Sequence, residues 1–201
     1  MKEVYLLISL VMLSAGLQAQ ETQTLLNTAE QSKVSYTVFG GPLAFATDIN
    51  NALGICIGGK GGAIINESLA FGGLGFGMAN PLEFAGSNLS DEENTPLEMT
   101  FGAGGLFFEY IFNYGDRIEI SVPLNLMAGG IHVNEPGSVS KVESSTFFIV
   151  EPGINIDVKI SEFYSQSFFV SYRQAIGSSL INVDAAGISG LNVGLMFKFG
   201  G

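Results

Sequence analysis

The chain has 201 residues with 19 acidic and 8 basic side chains, a formal net charge of −11. That balance argues against a nucleic-acid partner, because neutralising phosphates needs clustered basic residues and the few here are scattered. Only 13% of residues are charged, against roughly 25% in an ordinary soluble domain, and glycine is abundant at 27 while tryptophan is absent.

Mean hydropathy is positive, yet beyond the N-terminus no run of about 20 apolar residues exists that could cross a bilayer as a helix. The apolar residues are spread by alternation instead. The single Cys56 cannot form an internal disulfide and has no partner for a thiol site, so it reads as a small residue inside a strand.

Residues 1–19 read as a secretory signal. Lys2 precedes an apolar run from Val4 to Leu13, then small residues at Ser14, Ala15 and Gly16, with a cut expected after Ala19. The run is too short for a membrane anchor, and no cysteine sits near the cut to accept lipid. Residues 20–33 are polar around Leu25-Leu26 and form a periplasmic lead-in to a barrel domain over 34–201.

The last stretch, 190–201, sets the pattern for the whole domain. Leu191, Val193, Leu195, Phe197 and Phe199 fall on one face, and Asn192, Gly194, Met196, Lys198 and Gly200 on the other. Strict alternation means a strand with two different surroundings. A large apolar face opposite a small and polar one is the pattern of a transmembrane β-strand between lipid and lumen.

Earlier strands are expected at 34–45, 53–65, 69–78, 97–112, 117–132, 147–160 and 163–173. The first contains Gly40-Gly41-Pro42, where a bend or bulge is expected, and Asp48-Ile49-Asn50-Asn51 then turns the chain. Gly58-Gly59-Lys60-Gly61-Gly62 in the second lacks the spacing and following helix of a phosphate loop. Its glycines suit a sharply curving wall instead.

Residues 80–96 read as a long loop with the acidic run Asp91-Glu92-Glu93, and the strand at 97–112 as slipping phase near Gly104-Gly105. In the fifth strand Ile118, Ile120, Val122, Leu124 and Leu126 oppose Arg117, Glu119, Ser121, Pro123 and Asn125. Short turns at Asn66, Asn113 and Ser161 alternate with longer loops, and Tyr110, Phe112, Tyr114, Phe163 and Tyr164 lie beside the short ones. That arrangement predicts an eight-stranded antiparallel up-and-down transmembrane barrel, all-β, with an aromatic belt at the periplasmic interface.

Several stretches resemble small outer-membrane β-barrel proteins of Bacteroidetes type. They are Phe39-Gly40-Gly41-Pro42, the Gly58–Gly62 run with Ile64-Ile65-Asn66, Glu109-Tyr110-Ile111-Phe112-Asn113, Val150-Glu151-Pro152, Ser171-Tyr172-Arg173 and Phe197-Lys198-Phe199-Gly200. The resemblance covers nearly all of the mature chain and implies an eight-stranded barrel, with no catalytic residues to carry over. The chain departs from the group's usual ending in that Gly200 and Gly201 follow the last aromatic residue.

These phases gather Lys60, Glu109, Glu119, Glu151, Asp157, Lys159, Arg173 and Lys198 in the lumen, with Arg117 near the periplasmic mouth. An eight-stranded barrel is only wide enough for its side chains to fill, so the eight are expected to form a structural ion-pair network that plugs it. The expected role is structural or surface-interacting, in the cell outer membrane. The expected partners are lipid, lipopolysaccharide and the barrel-insertion machinery, and the expected state is a monomer.

Three other readings stay open. One is a narrow pore. Another is a small barrel enzyme on outer-leaflet lipid, for which His132 with Glu135 and Ser138 is the only available set. The third is a soluble lipocalin-like carrier, with the apolar face turned inward. No catalytic residue, cofactor or metal site is assigned, since one histidine and one distant cysteine make no ligand set. Variable chemistry is expected in the loops at 79–97, 133–145 and 175–187.

Overall fold

A computed structural model describes residues 34–49, 52–85, 96–114, 117–134, 141–177 and 185–200. The signal at 1–19, the lead-in at 20–33, the acidic run at 91–93, Glu135 and Ser138 lie outside those residues.

Nine strands follow in chain order: β1 (Tyr36–Ile49), β2 (Ala52–Ile65), β3 (Leu69–Met78), β4 (Leu82–Ala85), β5 (Pro96–Tyr114), β6 (Ile118–Asn134), β7 (Lys141–Lys159), β8 (Tyr164–Ile176) and β9 (Gly190–Gly200). One short helix, α1 (Ala185–Ile188), precedes β9. All pairings are antiparallel, in the order β3-β2-β1-β9-β8-β7-β6-β5-β4, and a further β3–β5 ladder closes the sheet on itself. Both β3 and β4 lie against β5, at Gly102–Tyr110 and Pro96–Met99 respectively, so together they fill one place in the wall. The barrel is therefore eight-stranded and closed.

The strands run further than the alternation suggested. β1 continues to Ile49 through the expected turn, β7 begins at Lys141, and β8 reaches Ile176. Leu82–Ala85, expected within a loop, pairs with β5. At Gly40-Gly41-Pro42, where a bend or bulge is expected, the chain keeps register with β2 and makes no bulge, while the ladder to β9 is interrupted at Gly41 and Pro42. The expected phase slip near Gly104-Gly105 is corrected. β5 keeps one phase from Leu97 to Phe112, odd-numbered residues inward, and its ladder to β6 runs unbroken from Glu98 to Tyr114. The register shift recorded in the β6–β7 ladder lies at Val133/Asn134.

The outward face is the apolar one. Leu53, Ile57, Leu106, Phe108, Ile154, Phe168 and Val193 are each about half or more exposed. Six of the eight lumen charges (Glu109, Glu151, Asp157, Arg173 and Lys198 buried, Lys60 half-buried) point inward at the same levels. An inverted, carrier-type barrel is thereby overturned, since it would need the opposite distribution.

At the short-turn end Tyr36, Tyr110, Phe112, Phe163 and Phe199 are exposed, with edge contact between Tyr110 and Phe112 and Phe199 tilted against Phe163. Of the five aromatic residues expected there, Tyr110, Phe112 and Phe163 are exposed and the Tyr164 ring packs on Phe199, while the Tyr114 side chain lies outside those described. The β2–β3 turn has Asn66 and Glu67 at φ 48° and 56°, with Ser68 N donating to Ile65 O at 3.1 Å. Two successive left-handed residues match the right-handed twist of the flanking strands. Asn66 suits that conformation, and its Oδ1 also accepts from Ser35 N at 3.2 Å.

Candidate functional site in the lumen

The barrel interior has two halves. At the short-turn end lies a vestibule of about 470 Å³, lined among others by Thr37, Glu119, Lys159, Glu162, Ser165 and Lys198. Lys159 Nζ meets Glu119 Oε1 at 2.6 Å, with the lysine side chain still 44% exposed. Deeper in, Lys198 Nζ meets Asp157 Oδ2 at 2.7 Å and sits 4.8 Å from the Phe39 ring centroid.

The best-satisfied carboxylate comes next. Lys60 Nζ meets Glu109 Oε2 at 2.5 Å, while Glu109 Oε1 accepts from Ser121 Oγ and, at 2.9 Å, from Asn155 Nδ2. Lys60 also lies 4.2 Å from the Phe107 ring centroid. Four strands, β2, β5, β6 and β7, thus meet on one carboxylate. In a dry interior such full satisfaction keeps a buried charge from being prohibitive.

Glu151 and Arg173 differ from the three pairs. Glu151 Oε1 accepts from Ser171 Oγ at 2.7 Å and Asn125 Nδ2 at 3.3 Å, but its Oε2 has no hydrogen-bond partner. Glu151 lines a cavity of about 40 Å³ together with Leu43, Phe45, Leu74 and Phe76, whereas Arg173 lies outside that lining. Arg173 is fully buried, and its acceptors among the described residues are all neutral: Ile188 O and Thr47 Oγ1 at 2.7 Å, Asp48 O at 2.8 Å and Asn192 Oδ1 at 3.2 Å. Its guanidinium lies over Phe101 at 4.9 Å.

Beyond Arg173, toward the long-loop end, the lumen is apolar. Ile49, Leu97, Met99, Phe101, Ile131, Val133, Ile149 and Ile188 are almost wholly buried, and Phe101 stacks on Phe147. Composition-level reading missed this half. Large aromatics occur on both faces of β5, and alternation cannot tell a lipid-facing phenylalanine from one that fills a narrow lumen.

The structure turns six of the eight charges inward, leaves Glu119 and Lys159 at the short-turn mouth, and joins only six of the eight as pairs. Arg117 is exposed at the short-turn end. Thr47, Asn125, Asn155, Ser171 and Asn192, inward polar residues that complete the network, were not singled out by charge alone. His132 is exposed on the outward face, its carbonyl accepting from Thr100 Oγ1 at 3.5 Å. Among the described residues no group of three His, Cys, Asp or Glu side chains could hold a metal ion.

No protein-family model matches the sequence, and no curated protein matches it. Solved structures do. The chain is similar to Neisserial surface protein A at 13% identity and a TM-score of 0.54, over 83% of this chain and 97% of that one. It is also similar to Ail, the attachment invasion locus protein of Yersinia pestis, at 12% identity and a TM-score of 0.46, over 82% and 97% of the two chains. At such identities the likeness to the first establishes the fold, a closed eight-stranded, all-antiparallel β-barrel.

Proposed function

We propose that this protein is a closed outer-membrane barrel with a structural or surface-interaction role, its short turns facing the periplasm and its long loops the outside. The observation that carries this reading is the inside-out surface: a continuous apolar outer wall around buried, ion-paired charges. In water that wall would be a severe aggregation hazard, whereas in hydrocarbon it is the low-energy choice. The aromatic belt marks the expected depth of the periplasmic interface.

Plugging of the lumen is supported by the phenylalanine-rich outer half and by the three ion pairs below it. The partners on this reading are outer-membrane lipid with its lipopolysaccharide, the insertion machinery and whatever meets the loops. The barrel works as a monomer. Among the other readings, the narrow pore makes a separable prediction. Purified protein in planar bilayers bathed in concentrated KCl is expected to give no stepwise conductance. Steady, discrete steps of one size would instead select the pore.

A further inference from the structure

Glu151 and Arg173 face each other directly. The β7–β8 ladder pairs Val150 with Gln174 and Gly153 with Ser171, which sets Glu151 opposite Arg173, and both side chains point into the lumen. Opposite charges so placed have Cβ atoms about 5 Å apart and ordinarily attract. Here they turn away from one another. Arg173 reaches outward to Ile188 O and Asp48 O, while Glu151 reaches to Ser171 and Asn125. Asn192 links the two, accepting from Arg173 and donating to Ser171 Oγ at 3.4 Å.

The consequence, among the described residues, is a buried cation without a carboxylate and a buried carboxylate with one oxygen unpartnered in the lining of a cavity. Charge-assisted pairing is roughly twice as strong as hydrogen bonding between neutral groups, so the pair forgoes a strong contact. What Arg173 gains in its place is a hold on the outer end of the barrel. Its Nε fixes the last residue of α1, whose Ile188 side chain is fully buried in the apolar half. Its Nη2 fixes the end of β1 at Asp48. Ser189 Oγ, accepting from Ala175 N at 3.0 Å, seats the same segment on β8.

We propose that Arg173 is the latch of an outer plug and Glu151 its alternative partner. In the latched arrangement the guanidinium pins Ile188 into the lumen. In the released one it turns across the β7–β8 ladder onto the unpartnered Oε2 of Glu151, freeing the carbonyls of Ile188 and Asp48 so that the plug can lift. Both arrangements keep Arg173 bonded and differ mainly in side-chain rotation, which makes a two-state element of the kind that switches use. The released state opens the outer half of the lumen, not the polar half beneath it. This deepens the closed-barrel reading and rests on it.

Cys56 supplies the reporter. It is the chain's only cysteine, points into the lumen opposite Phe45 in the β1–β2 ladder, and is fully buried. The rate at which a small cationic methanethiosulfonate modifies Cys56 in the detergent-folded full chain measures opening of the plug. It is read by mass spectrometry at a temperature where the wild type reacts measurably. Arg173→Met is expected to raise that rate about tenfold or more, and Glu151→Gln to lower it at least about threefold by removing the partner of the released state.

A folded Arg173→Met variant labelling at the wild-type rate would overturn the latch. So would Glu151→Gln labelling as fast as the wild type or faster, a test that stands even where Arg173→Met fails to fold. Labelling of wild type and variants alike at the rate of urea-unfolded chain would instead sink the closed-barrel reading itself.

Discussion

Gly72→Ala is expected to lower the urea midpoint of the folded barrel sharply, while Gly73→Ala next to it leaves the midpoint unchanged or slightly raised. The two glycines lie on opposite faces of β3. Gly72 points inward, in register with Gly62 of β2, and a Cβ there would lie 2.2 Å from Gly61 O and 2.5 Å from Gly62 Cα. Both obstacles are backbone, so no side-chain rotation relieves them, and β2 and β3 would have to part. The companion position is as tight: a Cβ on Gly62 would meet Phe71 O at 2.2 Å and the Phe107 ring at 2.9 Å.

Phe107 thus fills the space that the two missing side chains leave, which lets a narrow wall bend around one ring. Gly73 points outward, and a Cβ there meets nothing nearer than Gly105 O at 3.7 Å. Overpacking against fixed backbone is expected to cost about 3 kcal/mol or more at Gly72. Replacing a glycine where there is room and ordinary φ stabilises by about 0.4–1 kcal/mol through the unfolded chain. Equal effects at the two positions would contradict the assignment of faces in β3.

The second large effect is expected at the central ion pair. Lys60→Met leaves Glu109 buried with only Ser121 and Asn155 as donors, and Glu109→Leu leaves Lys60 without its anion. Each single substitution is expected to cost about 3–5 kcal/mol, because it strands one charge in the interior. The double variant is expected to cost less than either, since it buries neither charge, though Ser121 and Asn155 lose their acceptor. Urea titrations of the four proteins in the same detergent give the coupling directly. Additive losses would mean that the two side chains do not act as a pair.

How much of this could be read from sequence depended on which half of the barrel is considered. At the short-turn end, lipid-facing residues such as Ile118, Ile120 and Val122 alternate with Glu119, Ser121 and other polar ones, and the faces were plain. Six of the eight charges expected in the lumen point inward, while Glu119 and Lys159 pair at its short-turn mouth. Which acid meets which base was not legible, because strand stagger decides it. Glu109 of β5 meets Lys60 of β2, strands that are not neighbours in the wall.

At the long-loop end the signal failed. There Phe101 and Met99 point inward while Leu106 and Phe108, further along β5, point outward, so apolar residues occupy both faces of one strand and its phase looked broken. Strand ends beyond Phe45 and Arg173 were missed for a similar reason. Thr47, Asp48 and Gln174 look like turn residues, but Thr47 is held inside by Arg173 and Asn192.

The central claim is that a closed barrel turns its apolar wall to lipid, and heat modifiability tests it most directly. Membrane-extracted protein is run on a detergent gel, boiled and unboiled, after a urea wash of the outer-membrane fraction. The account predicts that the protein stays in the washed membranes and that its mobility shifts clearly on boiling. Release as a soluble protein with one mobility under both conditions would contradict it.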